Sequence, residues 1–120
     1  MKKHVFVLED DDGLRELFTL LLEAESFKVN TFPTVKNFML GLAQQQPDLI
    51  IMDVMLPDGN GLQVSIEVRE NERTTDIPII MMSAHRDFNQ DKGNSPAEEF
   101  IAKPFDVDYL LARVNHHILR

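Results

Sequence analysis

Residues 49–53 read LIIMD and contain the clearest strand signal in the chain. Four consecutive apolar residues indicate a strand that is buried on both faces, which is typical of the centre of a parallel sheet. Asp53 ends the apolar run, and the turn-forming residues Pro57, Gly59 and Gly61 follow closely. We therefore interpret Asp53 as a polar residue at the carboxyl end of a central strand.

The same alternation of a short apolar run and a helical pattern extends along the chain in both directions. Strands are predicted at residues 5–8, 28–32, 49–52, 79–82 and 100–102. Helical patterns follow the first, second, third and last of these strands. Strands that alternate with helices form a parallel sheet covered on both faces. We predict an α/β fold with a doubly wound, five-stranded parallel sheet of order 2-1-3-4-5, the flavodoxin-like arrangement, with helices on both faces.

The composition favours one small domain in a reducing compartment. The chain has 120 residues, 43% of them hydrophobic, which suits a single domain over residues 1–120. It has no cysteine, which excludes disulfide scaffolds and thiolate metal sites and predicts a cytoplasmic location. The net charge of −8 opposes binding to nucleic acid and to anionic membranes, and it favours cations and basic partners.

Polar residues follow the predicted strands at their carboxyl ends. Glu9 and Asp10 follow the first strand, Asp53 the third, Ser83 the fourth and Lys103 the last. The predicted order makes the first and third strands neighbours, so three carboxylates should meet at one edge of the sheet. Carboxylates that lie this close repel one another unless a cation compensates, and oxygen ligands suit Mg²⁺. The sequence therefore predicts a magnesium site at this edge.

The same set of residues suits the transfer of a phosphoryl group to a carboxylate. Asp53 is the candidate nucleophile, because it stands alone at the end of a central strand, and it would form an aspartyl phosphate. Mg²⁺ and Lys103 would neutralise charge on the phosphoryl oxygens, and the Ser83 hydroxyl would donate a hydrogen bond to one of them. Each residue alone also fits a structural role, as a helix N-cap, a strand end or a surface lysine. Their occurrence at successive strand ends favours the functional interpretation.

Four motifs lie at the predicted strand ends: VFVLEDD at 5–11, LIIMDVMLPDGNG at 49–61, IIMMSA at 79–84 and FIAKPF at 100–105. In order and spacing they resemble the receiver domain of bacterial two-component response regulators. The resemblance implies a phosphorelay protein that takes a phosphoryl group from a sensor histidine kinase or phosphotransfer protein. It would signal by conformational change to a downstream protein target or effector domain. It would assist only its own phosphorylation and dephosphorylation and would not otherwise be an enzyme.

The resemblance also implies a set of magnesium ligands. Asp10 and Asp53 would bind Mg²⁺ directly, and Glu9 would bind through a water molecule. The main-chain carbonyl of Met55 would be a further ligand. Asp53 would at the same time be the phosphoacceptor.

Further residues match the family's switch and phosphate-binding positions. Ser83 and Phe100 would form the switch, in which the hydroxyl moves toward the phosphoryl group and the ring rotates inward. Lys103 would bind the phosphoryl group, and its bond to Pro104 would be cis. The segment 84–96 departs from the family because it is shorter than usual and carries Gly93 and Pro96 where a fourth helix is expected. Since residues 86–96 also have little apolar surface, a short or frayed helix is predicted there.

Two other functions remain open. An aspartate-nucleophile, phosphatase-like hydrolase would also place an aspartate at a strand end. Such an enzyme needs a second aspartate two residues further on, where this chain has Met55. The second alternative is a receiver-like interaction module that is never phosphorylated. The presence of Asp10, Asp53 and Lys103 argues against it.

Several local predictions concern residues outside this set. The residues predicted to cap helices are Asp12, Thr34 and Asp106. The residues predicted to face the core from the four helices are Leu14, Leu17, Phe18 and Leu21, then Val35, Phe38, Met39 and Leu42, then Leu62 and Ile66, and last Val107, Leu110, Leu111, Val114 and Ile118. The histidines predicted to lie at the surface are His4, His116 and His117.

Overall fold

The computed structural model describes residues 2–84, 93 and 95–118. The main sheet consists of β1 (His4–Leu8), β2 (Lys28–Phe32), β3 (Leu49–Asp53), β6 (Ile79–Ser83) and β7 (Glu99–Ala102). A short hairpin follows β3 and consists of β4 (Met55–Leu56) and β5 (Gly59–Asn60). The helices are α1 (Asp12–Ala24), α2 (Val35–Gln44), α3 (Gly61–Glu70) and α4 (Val107–Ile118). Within the described part of the chain, no helix is long and apolar enough to span a membrane.

The five strands of the main sheet are parallel and lie in the order β2-β1-β3-β6-β7. This confirms the predicted order, since β6 and β7 are the fourth and fifth strands of that sheet. β1 and β3 are neighbours, with Leu8 opposite Met52. The carboxyl ends of these two strands therefore lie side by side at the point where the strand order reverses, which is where ligands bind in open α/β sheets.

The central strands send alternate residues into two separate cores. On β1, Val5 and Val7 pack with α1 and α4, whereas Phe6 and Leu8 pack with α2 and α3. β3 and β6 alternate in the same way, and the eight residues 49–52 and 79–82 are all buried. This explains why the strands are apolar at every position. It also confirms the prediction that helices cover both faces of the sheet.

Two of the three predicted helix caps are observed. The side chains of Thr34 and Asp106 accept backbone N–H groups of their helices at 3.1 and 2.9 Å. The prediction for α1 is wrong by one residue, because Asp11 is the N-cap and accepts the N–H of Leu14 at 2.8 Å. Asp12 is the first helical residue. Consecutive aspartates made both positions chemically acceptable as caps.

The predicted buried faces of the helices are wrong at several positions. Leu17 and Met39 are each 37% exposed, and Ile66 is only partly buried. The predicted positions Phe18, Phe38 and Leu42 are buried, and so are the apolar residues Leu22, Val64 and Val68, which were not predicted. Because apolar residues occur on neighbouring stripes of each helix, periodicity alone does not select the face that meets the sheet.

The surface prediction is wrong for two of the three histidines. His4 is 8% exposed, and its Nε2 atom contacts the side-chain oxygen of Asn30. The side chain of His117 is 6% exposed, with Nε2 2.9 Å from Glu99 Oε1. His116 is exposed, as predicted. Both buried rings meet a polar partner on a strand, which the sequence of their own element does not reveal.

Two further predictions concern connecting segments. The turn-forming residues after Asp53 predict a turn-rich loop, and the structure adds pairing of β4 with β5 there as an antiparallel hairpin. The expected short fourth helix within 84–96 falls on residues 85–92 and 94, which lie outside the described residues.

Candidate functional site

Three carboxylates meet at the carboxyl edge of the sheet. Glu9 and Asp10 follow β1, and Asp53 is the last residue of β3. Each offers one oxygen, and these oxygens lie within 4.8 Å of one another. Glu9 is buried, Asp53 is partly buried and Asp10 is exposed to solvent. The convergence expected from the order of the strands is therefore present.

Lys103 reaches this cluster from the loop that follows β7. Its Nζ atom lies 2.6 Å from Glu9 Oε1 and 3.0 Å from Asp53 Oδ2. The peptide bond between Lys103 and Pro104 is cis, as the resemblance implied. One ammonium group thus contacts carboxylates from two neighbouring strands.

The environment changes the pKa values of this ion pair. Burial raises the pKa of Glu9, and the hydrogen bond from Lys103 offsets this only in part. Burial by itself would lower the pKa of Lys103, but its hydrogen bonds to Glu9 and Asp53 outweigh burial and raise the pKa above the ordinary value. Lys103 is therefore charged at neutral pH, so it places a permanent positive charge beside Asp53.

The other predicted residues lie on the neighbouring elements. Ser83 ends β6 and is 2% exposed, and its carbonyl accepts the N–H of Lys103 at 2.9 Å. Phe100 on β7 is partly buried and packs against the core beneath α2 and α3. Met55 lies on the hairpin two residues after Asp53 and is 68% exposed. Ser83 thus ends the strand beside β3, whereas Phe100 lies inside β7, opposite Met81.

Gly61 allows α3 to begin directly against the backbone of Asp53. The N–H of Gly61 donates to the carbonyl of Val54 at 2.7 Å. A Cβ atom at position 61 would lie far inside van der Waals contact with the carbonyl oxygen of Asp53. The sequence marks this glycine only as a turn residue, whereas the structure assigns it to close packing beside the central aspartate.

Asp58 anchors the hairpin that follows Asp53. Its carboxylate accepts the backbone N–H groups of Val35 at 2.8 Å and Lys36 at 3.1 Å, at the start of α2. The hydrogen bond from Val35 is the largest cause of a lowered pKa for Asp58. The hairpin is therefore tied to a helix on the same side of the sheet, a contact that sequence reasoning missed.

Arg15 is a second residue that sequence reasoning missed. It lies in α1, and its guanidinium donates to the main-chain carbonyls of Glu9 and Asp10. The only sequence signal is an arginine shortly after an acidic run, which also fits an exposed helical ion pair. The structure shows the ion pair, with Asp12, and also places Arg15 against the backbone of the acidic cluster.

The donor set fits a hard divalent cation such as Mg²⁺. Carboxylate oxygens are the ligands that this ion prefers, and it commonly binds to one or two carboxylates together with water and phosphate oxygens. Asp10 is exposed and Asp53 partly so, which leaves both accessible from solvent. The positive charge of Lys103 lies on the side of Glu9 and Asp53, so the cluster is only partly neutralised.

Comparison with known proteins gives a consistent family assignment. Residues 5–115 match the family model described as the response regulator receiver domain. The DNA-binding dual master transcriptional regulator RpaA of Synechocystis is 38% identical over 114 residues, which is 92% of this chain and 46% of RpaA. The chain spans about half the length of the curated relatives it matches.

Solved structures agree with the fold. A putative response regulator from Chloroflexus aurantiacus superimposes with a TM-score of 0.93 over the whole of both chains at 24% identity. The response regulator TrrA from Thermotoga maritima, solved in complex with Mg²⁺–BeF, has a TM-score of 0.84 and 26% identity. That match covers 95% of this chain and 97% of TrrA.

Proposed function

We propose that this chain, which belongs to the family of response regulator receiver domains, accepts its phosphoryl group on Asp53. The observation that carries the assignment is the position of Asp53 between an acidic cluster and a lysine. Its carboxylate lies 3.0 Å from Lys103 Nζ and offers an oxygen within 4.8 Å of carboxylate oxygens of Glu9 and Asp10. A carboxylate placed beside a fixed positive charge is suited to receive a phosphoryl group.

In the proposed reaction a carboxylate oxygen of Asp53 attacks the phosphorus of the donor. An O–P bond forms and the P–N bond of a phosphohistidine breaks, and the leaving imidazole keeps the electron pair and takes a proton. Lys103 exchanges part of its contact with Glu9 and Asp53 for a phosphoryl oxygen, which lowers the energy of the charged transition state. The Ser83 hydroxyl donates to a second oxygen.

The residues proposed to hold Mg²⁺ are Asp10 and Asp53 directly, Glu9 through water, and Met55 through its main-chain carbonyl. When bound, Mg²⁺ supplies positive charge to the phosphoryl oxygens. The structure of TrrA with Mg²⁺–BeF supports this choice of ion.

The switch and the partners are part of the same proposal. Ser83 would move toward the phosphoryl group, and Phe100 would rotate toward the space that it leaves. The phosphodonor would be a sensor histidine kinase or a phosphotransfer protein in the cytoplasm. The output would pass to a downstream protein or effector domain, and the chain would catalyse only its own phosphorylation and dephosphorylation.

The proposal predicts that acetyl phosphate modifies the purified chain only when Mg²⁺ is present. Intact-mass spectrometry should show the gain of one phosphoryl group with Mg²⁺ and none with EDTA. Hydroxylamine should remove the group, because it cleaves acyl phosphates. A group that resists hydroxylamine, or equal modification in EDTA, would contradict the proposal.

The same experiment separates the proposal from both alternatives. A phosphatase-like hydrolase would turn acetyl phosphate over rapidly and leave little phosphorylated protein, whereas the phosphoacceptor should accumulate as the modified protein and release phosphate only as it loses that group. An interaction module that is never phosphorylated would show no change in mass under any condition. Stoichiometric, Mg²⁺-dependent modification is expected only of the phosphoacceptor.

A further inference from the structure

We propose that Arg15 is a positioning residue for the cation site, because it holds the backbone from which Glu9 and Asp10 project. This inference rests on the proposed function of the site as a place where Mg²⁺ binds. Arg15 would touch neither the cation nor the phosphoryl group. Its effect would be to fix two carboxylates in the separation and orientation that a small, rigid octahedral ion requires.

Arg15 acts as a clamp because it binds the backbone of Glu9 and Asp10, the two residues of the acidic turn. Nη1 donates to the carbonyl of Glu9 at 3.0 Å and to the carbonyl of Asp10 at 2.9 Å. Nη2 pairs with the carboxylate of Asp12, and the side chain is only 18% exposed. The guanidinium is planar and presents several donors in fixed directions, so it can bind two successive carbonyls at once.

The chain needs such a clamp because it leaves the sheet at this point. β1 ends at Leu8, and the N–H of Glu9 makes one further bond, to the carbonyl of Phe32 at 3.0 Å. Beyond it the carbonyls of Glu9 and Asp10 are bound by the guanidinium of Arg15. The N–H of Asp11 then donates to Glu9 Oε2 at 3.1 Å, so the path of the backbone also sets the position of the Glu9 carboxylate.

The hydrogen bonds of Arg15 leave the carboxylates of Glu9 and Asp10 available to bind Mg²⁺. Arg15 binds the main-chain oxygens of Glu9 and Asp10, so it takes no carboxylate oxygen of either residue. Its positive charge nevertheless lies near the site and, by itself, would repel a cation. Positioning and charge therefore predict opposite effects of removing the side chain. Loss of positioning weakens Mg²⁺ binding, whereas loss of charge strengthens it.

Titration of Mg²⁺ alone, followed by isothermal calorimetry, tests the inference without any phosphodonor. Arg15→Met keeps most of the aliphatic side chain and removes both the clamp and the charge. We expect it to weaken Mg²⁺ binding by about tenfold, the lower end of the effect of residues that orient metal ligands. Arg15→Lys keeps the charge but lacks the planar guanidinium that binds two carbonyls. This variant should therefore also bind Mg²⁺ more weakly than the wild type.

Arg73→Met is the matched control, because it removes the same charge from an exposed position in the connection before β6. It should bind Mg²⁺ with the affinity of the wild type. Melting of each metal-free variant shows whether it is folded. If Arg15→Met does not fold, Arg15→Lys decides the question, since it retains the charge and loses only the geometry.

The outcomes distinguish this inference from the proposed function. A wild-type chain that binds no Mg²⁺ contradicts the proposed function itself. If the wild type binds Mg²⁺, unchanged or tighter binding by Arg15→Met overturns the positioning role alone. If Arg15→Met is unfolded, unchanged binding by a folded Arg15→Lys overturns it. Weaker binding by both variants, with an unchanged Arg73→Met control, supports it.

Discussion

Replacing Asp53 by Asn should abolish the Mg²⁺-dependent uptake of a phosphoryl group from acetyl phosphate. The amide is nearly isosteric with the carboxylate, but it has no anionic oxygen to attack phosphorus. The strand should form as before, because β3 is stabilised by its buried residues 49–52. Intact-mass spectrometry of the variant should show only the unmodified protein, while its circular dichroism matches that of the wild type.

Asp76→Asn is the matched control for this prediction. Asp76 is exposed in the connection between α3 and β6 and does not belong to the cluster of Glu9, Asp10 and Asp53. The control variant should be phosphorylated like the wild type. Modification of Asp53→Asn to the wild-type extent would show that another residue is the nucleophile.

Replacing Lys103 by Met should slow phosphorylation by acetyl phosphate on the order of 100-fold, the usual effect of removing one group that stabilises developing charge. Lys103 contacts both Glu9 and Asp53, and its raised pKa keeps it charged at neutral pH. Methionine fills a similar volume without that charge. The rate of the mass change at saturating Mg²⁺ measures the effect.

Lys28→Met provides the control for the lysine variant. Lys28 is exposed at the start of β2, so its side chain lies at the opposite edge of the sheet, and the change in net charge is the same. Its rate should equal that of the wild type. An unchanged rate for Lys103→Met would mean that the contact seen in the structure does not act on the phosphoryl group.

The strands and their order could be predicted from the sequence, whereas the helix faces could not. A strand buried on both faces is apolar at every position, so β1, β3 and β6 are unambiguous. An amphipathic helix with apolar residues on neighbouring stripes leaves its buried face undecided. Leu17 is 37% exposed for this reason, although its spacing fits the predicted stripe.

In the candidate site, the residues at strand ends could be predicted from the sequence, whereas the contacts between distant parts of the chain could not. Glu9, Asp10, Asp53 and Lys103 were predictable because parallel strands bring their carboxyl ends to one edge. The backbone contacts of Arg15 depend on how α1 packs beside the acidic turn. Those of Asp58 and Gly61 depend likewise on where α2 and α3 begin, and no local pattern encodes such distances.

The most direct test of Asp53 as the phosphoacceptor is to locate the phosphoryl group on the wild-type chain. Reduction of an aspartyl phosphate with borohydride converts that residue to homoserine, which peptide mass spectrometry can assign. After treatment with acetyl phosphate and Mg²⁺, homoserine should be found at position 53, and it should be missing when EDTA replaces Mg²⁺. Homoserine at position 10 instead, or at no aspartate at all, would contradict the assignment of Asp53 as the phosphoacceptor.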